Sequence, residues 1–175
     1  VIEESLVAIR NFDQDSLENI FNKIVKEKGY SCLLEKVLLP FLHNIGKLWH
    51  DGDLTTAEEH AATNFIKDYL CVSARSFTSS SSAPKILITT PHGQLHELGA
   101  TIAAAQARKL GFQVIYLGCS LPSFEIAGAA EKIGARAVIL SIIYPLDDPQ
   151  INFHLRKLRS QLDCAIPIII GGAHS

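Results

Sequence analysis

The sequence lacks long apolar runs, an excess of charge of either sign, and methionine. Its 175 residues include no Met, one Trp and 7% aromatic residues. No apolar run approaches the ~18–20 residues of a transmembrane helix, so we expect no membrane span. Sixteen basic residues against eighteen acidic ones give a formal net charge of −2, which is unlike the cationic surface of a stand-alone binder of nucleic acid or anionic membrane. Because Met is missing even from the first position, we expect a processed or cut N-terminus.

The four cysteines are far apart and form no C-x-x-C pair. Cys32, Cys71, Cys119 and Cys164 therefore lack the spacing of a zinc knuckle or of a dense disulfide framework. Isolated cysteines with apolar flanks are mostly core residues. Since no signal-peptide pattern stands at the start of the chain, we expect a reduced, cytoplasmic protein.

The first half of the chain has the periodicity of helices. Hydrophobic residues, 47% of the whole chain, recur at i, i+3 and i+4 over residues 1–77 and predict four or five helices packed as an antiparallel bundle. Asp15 or Ser16 is expected to cap the second helix. Pro40 is expected to kink or split the third. Thr55–Glu58 has the pattern of a capping box that opens the last helix of this range.

The second half alternates apolar strands with helices, which predicts a parallel sheet with helices on both faces. The four expected strands are Lys85–Thr90, Val114–Leu117, Ala137–Ser141 and Pro167–Ile170. A Ser-rich stretch at residues 76–84 is typical of a flexible linker. The predicted domains are thus a four-helix-bundle cap over residues 1–77 and a Rossmann-like, flavodoxin-like α/β domain over residues 84–175. Since only four strands are present, we expect the sheet to be truncated at its C-terminus.

Three unusual segments follow strands that we expect to be neighbours. In an open parallel sheet, ligands bind beyond the carboxyl ends of the strands, at the point where the strand order reverses. If the order is 2-1-3-4, the segments Pro91–Gly99, Ser141–Pro149 and Gly171–His174 converge there. Neither G-x-G-x-x-G nor a P-loop motif is present, which argues against a dinucleotide or P-loop site.

The residues of these segments each allow two interpretations. His96 suits a surface or capping residue as well as a metal ligand. Gly171 and Gly172 fit either a tight turn or a close approach of the backbone to a bulky ligand. Ser141 fits a cap on backbone groups as well as a ligand contact.

Taken together, the spacing of these residues resembles that of the cobalamin-binding domain family. His96-x-x-Gly99 is followed after 41 residues by Ser141-x-Ile143, and after 27 more by Gly171-Gly172; the family pattern is D-x-H-x-x-G, S-x-L and GG. The resemblance implies that His96 is the lower axial ligand of cobalt. It also implies that the base tail of cobalamin lies between strands, towards the serine and the glycine pair. A neutral imidazole nitrogen suits cobalt chemically.

One position departs from the family pattern. Gln94 stands where the family has an acidic residue, two positions before the histidine. A carboxylate would orient the imidazole and raise its basicity, whereas the side-chain oxygen of Gln94 can orient His96 without adding charge. We therefore expect a weaker cobalt–His96 bond, or a mixture of base-on and base-off forms. His92 is close in sequence and is an alternative ligand.

A second motif lies in the helical half. Trp49 is followed, after nine residues, by the pair Glu59-His60, which resembles the W-x9-E-H signature of the CarH-type adenosylcobalamin photoreceptors. That resemblance covers nearly the whole chain and implies that Trp49, Glu59 and His60 enclose the adenosyl group on the upper face. It makes His50 an upper cobalt ligand once light has broken the cobalt–carbon bond. Without the resemblance, the residues favour a buried Trp, a Glu stabilised by the helix dipole and a solvated His.

The two resemblances imply a light sensor that regulates transcription. Adenosylcobalamin would be held between the bundle and the sheet domain, and photolysis of its cobalt–carbon bond would change conformation and oligomeric state. We expect a homo-oligomer and no contact with membranes. No helix-turn-helix is visible in the sequence. We therefore expect no direct contact of this fragment with DNA, and a DNA-binding module that is cut off, on another chain or absent.

Two other functions stay open. One is a corrinoid protein that carries methyl groups in a methyltransferase system, and the other is a cobalamin-responsive regulator that works without light. An enzyme is not expected, because no Ser/His/Asp set or carboxylate pair is evident, and Asp147-Asp148 fits a turn with a helix cap. The expected cofactor-binding residues are Trp49, His50, Glu59, His60, Gln94, Leu95, His96, Gly99, Ser141, Ile143, Gly171 and Gly172.

Overall fold

The computed structural model describes residues 1–143 and 150–172. The chain divides into two compact units, Val1–Ser73 and Ala74–Ser175. Each unit buries hydrophobic side chains of its own. The turn predicted at Asp147-Asp148 lies outside the described residues.

The first unit is helical. Its α-helices are α1 (Ile2–Arg10), α2 (Gln14–Lys28), α3 (Tyr30–Cys32), α4 (Leu39–His50) and α5 (Thr56–Ser73). Their apolar faces meet, since α1 packs against α2 and α5, and α4 packs against α5. The largest fully buried side chains of this unit are Phe21, Leu33, Leu34, Leu38, Phe41, Ile45, Ile66 and Leu70. The helical first half predicted from the sequence is confirmed.

Helix α2 is capped by Asp13, so the prediction of Asp15 or Ser16 is wrong. The Asp13 carboxylate accepts hydrogen bonds from the Ser16 hydroxyl at 2.6 Å and from the Ser16 backbone N–H at 2.9 Å. These bonds favour the ionised form and hold the pKa of Asp13 below its usual value. The cap stands one residue before the first helical residue, and only Asp13 has that place, next to Gln14.

The capping box predicted at the start of α5 is confirmed. Thr55 Oγ1 accepts from the Glu58 backbone N–H at 3.2 Å, and Glu58 Oε2 accepts from the Thr55 N–H at 2.7 Å. Glu58 also accepts from the Thr55 hydroxyl at 2.6 Å, and this bond, followed by the backbone one, holds the pKa of Glu58 below its usual value. The helix ends at Ser73, earlier than predicted, and a tighter 3₁₀ turn follows at Ala74–Ser76.

Pro40 does not split the helical stretch that runs from α3 into α4. A π-helical turn, Leu33–Leu38, joins the two helices, and the Leu39 N–H bonds to the Leu34 carbonyl, five residues back. Proline has no N–H to donate, and its ring crowds the preceding turn of an α-helix. The wider turn just before Pro40 relieves this crowding, so the helix continues without the predicted break.

The second unit is built on a four-stranded parallel sheet. Its elements are β1 (Lys85–Thr89), α6 (Leu98–Lys109), β2 (Gln113–Tyr116), α7 (Ser123–Ile133), β3 (Ala137–Ile142), α8 (Ile151–Gln161) and β4 (Ile168–Gly172). The strand order is β2-β1-β3-β4, and all three pairings are parallel. The predicted α/β, flavodoxin-like sheet is confirmed, and the strand order reverses between β1 and β3.

Residues of β3 alternate between the two faces of the sheet. Val138 and Leu140 are buried in a cluster with residues of α7 and α8. Ile139 packs on the opposite face, against the alanines of α6. Because side chains alternate along a strand, Ser141 lies on the same face as Ile139, next to α6.

Part of the Ser-rich stretch is attached to the sheet. Gln113 Nε2, at the start of β2, donates to the carbonyls of Ser80 and Ser81 at 2.8 and 2.9 Å. The Gln113 backbone N–H donates to the Pro84 carbonyl at 3.1 Å. The last residues of the predicted linker thus form hydrogen bonds with a strand.

The described residues include no helix that combines the length and the apolar character needed to cross a membrane. Each of the four cysteines is a free thiol, and only Cys164 is fully exposed. Cys32, Cys71 and Cys119 are only partly buried, so the prediction that the cysteines are core residues is wrong.

The packing of α5 is tested by two substitutions on the same helix. Ile66→Ala should lower the free energy of unfolding of the helical unit by about 2–5 kcal/mol, because Ile66 is fully buried and its truncation leaves a cavity. Val72→Ala is the matched control, since Val72 is 66% exposed, and it should change stability by less than about 0.5 kcal/mol. Urea unfolding followed by fluorescence of Trp49, the only tryptophan, reports on this unit. Equal effects of the two substitutions would contradict the packing described.

Candidate functional site

Buried hydrogen bonds fix the segment that follows β1. Thr90 is fully buried; its hydroxyl donates to the Gln94 carbonyl and accepts from the Ser120 N–H at 2.8 Å. Ser120, in the segment after β2, accepts from the Gly93 N–H at 3.1 Å through its own hydroxyl. The backbone of the segment is therefore held from inside the sheet. The exposed residues of this segment are His92, Gly93, Leu95 and His96.

The residue after His96 ties the start of α6 to β2. The Tyr116 hydroxyl donates to Glu97 Oε2 at 2.5 Å, and Thr101 Oγ1 lies 3.3 Å from the same hydroxyl. Burial, and then the bond to this carboxylate, raise the pKa of Tyr116 well above its usual value, so the phenol stays protonated and can donate. The start of α6 is thus fixed, and the exposed His96 lies just before it, at the carboxyl edge of the sheet.

Gln94 connects this segment to the end of β3. Its side chain is buried, and its Oε1 accepts from the Ile143 N–H at 3.2 Å. The bond joins the segment after β1 to the end of β3. The contact explains why a neutral residue fits here, because a neutral oxygen is sufficient to bind one backbone N–H.

Gly99 allows the first turn of α6 to lie directly on the end of β3. A Cβ atom at this position would be 2.7 Å from Ser141 Oγ and 3.1 Å from Ile143 Cδ1. A Cβ atom does not approach its neighbours so closely, and only glycine fits without movement of the Ser141 side chain. The structure therefore brings together three residues predicted from spacing: Gly99, Ser141 and Ile143.

Gly171 and Gly172 are the last two residues of β4, so the tight turn considered for them is wrong. Gly171 pairs with Ser141, and Gly172 pairs with Ile142. Gly172 has φ of +150°, and a Cβ atom there would collide with the Ile142 carbonyl oxygen. A Cβ atom at Gly171 would meet nothing within 4 Å. At Gly171, next to Ser141, the described part of the sheet therefore carries no side chain.

His92, the alternative metal ligand, lies against α8. Its ring centroid is 5.4 Å from that of His154. Because α8 packs on the sheet face of Leu140, this contact takes His92 to the face opposite Ser141. The two histidines of this segment, His92 and His96, therefore have different surroundings.

The sheet edge offers one imidazole, that of His96, next to an open sheet surface. Among residues 1–143 and 150–172, no three His, Cys, Asp or Glu side chains are grouped as ligands of one metal ion. A metal ion could be held through the His96 imidazole, and the sheet surface at Gly171, beside Ser141, offers room for a further part of its ligand.

In the helical unit, Trp49 and His50 end α4. Trp49 is 48% exposed, so the interpretation of a Trp buried in the core is wrong. Its indole N–H donates to Thr56 Oγ1 at 3.2 Å and connects the end of α4 to the first residue of α5. His50 is exposed. An exposed indole with its N–H already bonded presents its apolar face for packing on a ligand.

Glu59 and His60 lie near the start of α5. Glu59 Oε2 is 2.5 Å from His60 Nδ1; the carboxylate is partly buried and the imidazole is exposed. A hydrogen bond at Nδ1 leaves Nε2 for another partner. Since Thr56 bonds to Trp49, the four residues predicted for the upper face all belong to the end of α4 and the start of α5.

The residues that hold the site's backbone were not found from the sequence. Thr90, Tyr116 and Ser120 belong to no motif, and their partners come from other segments of the chain. The one local signal is the pair Thr89-Thr90, where polar residues end an apolar strand. Only the packed sheet shows that both hydroxyls bond to backbone carbonyls.

Comparison with known proteins gives family matches in both units. Residues 84–175 match the B12 binding domain family. Residues 1–70 match a further family with the same description, B12 binding domain. The matches therefore include the sheet residues and the helical residues described above.

Two curated proteins and a solved structure are similar to the chain. HTH-type transcriptional repressor CarH of Myxococcus xanthus is 26% identical over 171 residues, which cover 98% of this chain and 57% of CarH. A corrinoid protein of Desulfitobacterium hafniense (strain Y51) is 22% identical over 141 residues, 77% of this chain and 65% of that protein. A crystal structure of a cobalamin-binding protein from D. hafniense DCB-2 aligns at 20% identity and a TM-score of 0.41, covering 100% of this chain and 85% of that one. The chain thus spans less than two thirds of either curated relative.

The contact between α6 and β3 predicts that two substitutions are coupled. Gly99→Ala should lower the free energy of unfolding of the sheet unit by about 1–3 kcal/mol, because the new methyl group overlaps Ser141 Oγ. Adding Ser141→Ala removes that oxygen and should restore part of the loss, with a coupling energy of about 0.5–3 kcal/mol. Urea unfolding followed by circular dichroism measures both effects.

Gly128→Ala, in α7, is the matched control for Gly99→Ala. A Cβ atom at Gly128 would meet nothing within 4 Å, and alanine favours a helix over glycine by roughly 0.5–1 kcal/mol. This substitution should leave stability unchanged or raise it. If the effects of Gly99→Ala and Ser141→Ala simply add, the proposed overlap is wrong.

Proposed function

We propose that this chain, which belongs to the B12-binding domain family, is the adenosylcobalamin-binding and light-sensing part of a CarH-type regulator of transcription. The observation that carries the proposal is that one chain has both the His96 site on its sheet unit and the Trp49, Glu59 and His60 group on its helical unit. Similarity to the HTH-type repressor supports it, since that alignment covers 98% of this chain.

His96 is the proposed lower axial ligand of cobalt. Its imidazole is exposed, while Thr90 bonds to the Gln94 carbonyl before it and Tyr116 bonds to the Glu97 carboxylate after it. Gly171 adds no side chain to the sheet surface next to Ser141, which fits the base tail of cobalamin. Gln94 would orient His96 through its side-chain oxygen, without the charge that strengthens such a ligand.

Trp49, Glu59 and His60 are the proposed wall around the adenosyl group. The exposed indole of Trp49 offers an apolar surface on which an adenine ring can stack. Glu59 holds the His60 imidazole at Nδ1, so that Nε2 is directed to a further polar partner. His50, exposed at the end of α4, would hold the cobalt in the absence of the adenosyl group.

Adenosylcobalamin supplies a cobalt–carbon bond that visible light cleaves. The protein would bind the cofactor with its adenosyl group in one conformation and the cofactor without that group in another, and the two complexes would differ in stability. A ligand that interacts differently with two arrangements shifts their populations. We propose that oligomeric state is what changes, and that it alters transcription through a DNA-binding module outside these residues.

Size-exclusion chromatography of the reconstituted chain in darkness and after green light tests the proposal. We expect the elution volume of the adenosylcobalamin-loaded protein to change on illumination, because loss of the adenosyl group removes its contacts with Trp49 and His60. The cobalamin-free protein, illuminated in the same way, is the control and should not change. An elution volume that responds to adenosylcobalamin but not to light would instead favour a regulator that works without light.

A corrinoid carrier of methyl groups is the second candidate function. Similarity to the corrinoid protein of D. hafniense favours it. His96, Gly99 and Ser141 serve both functions, because both need a lower axial ligand and room for the base tail. The helical residues separate the two candidates, since a wall shaped for an adenosyl group has no role beside a methyl group.

Binding of two cobalamins to a Trp49 variant distinguishes the candidates. Trp49→Ala should weaken binding of adenosylcobalamin by about tenfold or more, as expected when a stacked indole is lost, and should change binding of methylcobalamin by less than about twofold. Absorbance titrations under red light measure both affinities. Leu39→Ala is the matched control, because Leu39 is also on α4 and is 47% exposed, and it should change neither. Equal losses for the two cobalamins would contradict the light-sensor proposal and favour the carrier.

A further inference from the structure

Two histidine rings meet on the sheet face that the cobalamin site does not use. The centroids of His92 and His154 are 5.4 Å apart, and their ring planes cross at 66°. His92 is exposed in the segment after β1, and His154 is partly buried in the first turn of α8. Since α8 packs on the face of Leu140, and Ser141 points to the other face, the pair is separate from the proposed cofactor site.

Hydrogen bonds fix the backbone beside each of these histidines. Gly93, which follows His92, donates its N–H to Ser120 Oγ at 3.1 Å. The carbonyl of His154 accepts from Ser123 Oγ at 2.9 Å. Ser120 and Ser123 flank the start of α7, so the same short part of the chain holds both histidines. Residues 120 and 123 therefore bond to the backbone next to one histidine and to that of the other.

The distance between the rings matches that of two imidazoles bound to one tetrahedral ion. With Zn–N bonds of about 2.05 Å and a tetrahedral angle, the ring centroids are expected about 5.2 Å apart. The observed 5.4 Å differs from this by less than a bond length. A square-planar ion with the two rings side by side would bring the centroids closer, to about 4.5 Å. The distance between the rings is therefore compatible with two imidazoles on one tetrahedral ion.

We propose that His92 and His154 form a binding site for Zn²⁺. In the described part of the chain, no third His, Cys, Asp or Glu joins them, so these residues supply two of the four ligands of a tetrahedral ion. Imidazole is a common zinc ligand, whereas Ca²⁺ and Mg²⁺ prefer oxygen ligands. The ion would join the segment after β1 to the start of α8.

Packing of aromatic rings is the competing explanation for this contact. The His154 ring also meets the Phe153 ring at 5.6 Å and 70°, and Lys157 Nζ lies 5.8 Å from the centre of Phe153. Edge-to-face pairs of rings have centroid distances of about 4.5–7 Å, which includes the distance observed for the two histidines. The explanations differ in one respect, because only a zinc site needs the ring nitrogens.

Titration of the full chain with zinc chloride, in the absence of cobalamin, tests the proposal by calorimetry. His154→Phe keeps an aromatic ring at the contact and removes its nitrogens, and His92→Ala removes the other ligand. Both variants should bind zinc at this site at least about tenfold more weakly, since even partners outside the ligand set change metal affinity by that factor. His43→Ala, an exposed histidine of α4, is the matched control and should keep the site.

Nuclear magnetic resonance gives a second, independent measurement. The ring Hε1 signals of His92 and His154 should shift together when zinc is added and return when the metal is removed with a chelator. Circular dichroism verifies that each variant is folded. The proposal is overturned if the unaltered chain does not bind zinc, or if His154→Phe binds it as tightly as the unaltered chain does. It is also overturned if only His96→Ala abolishes binding, because the zinc would then be on the proposed cobalt ligand.

Discussion

The close contact between α6 and β3 determines the geometry of the whole sheet edge. Ser141 Oγ occupies the space that a side chain at position 99 would need, so the helix begins directly on the end of the strand. The bond from Tyr116 to Glu97 holds the same turn from the side of β2. His96 precedes this turn by a residue or two and has little freedom to move along the edge. Bulk at Gly99 would displace the helix start, the histidine and the surface beside Ser141 together.

The helical unit positions its exposed residues by a different means. Its core of large apolar side chains, such as Phe41 and Ile66, lies between the helices, whereas Trp49, Glu59 and His60 lie where helices end or begin. Hydrogen bonds between near neighbours in sequence order this region, including the indole bond to Thr56. In both units, the candidate functional residues lie at the ends of helices and strands, whereas the middle of each element contributes buried side chains to the core. Backbone N–H and C=O groups lack a partner within the helix only at its ends, so helix ends are suitable places for ligands.

The sequence predicted those parts of the structure that depend on local pattern or on one special residue. Apolar strands that alternate with helices indicated the parallel sheet, and spacing identified Gly99 and Ser141 because one position needs no side chain and the other a small one. The extension of β4 through Gly171-Gly172 was missed, since glycine is uncommon inside strands and pairing with β3 decides the strand's end. The contact between His92 and His154 joins distant parts of the chain, and no periodicity or motif could indicate it.

The buried hydroxyl of Thr90 has a consequence for how this edge can change in evolution. Together with Ser120, it holds the backbone of the loop through buried hydrogen bonds, whereas the side chains of His92, Leu95 and His96 are exposed. Exposed positions of this kind usually accept substitution with changes in stability within about 0.5 kcal/mol. Single substitutions at these exposed positions can therefore change binding specificity while the fold is retained. For protein engineers, the same loop is a position where new ligand chemistry can be introduced without redesigning the sheet.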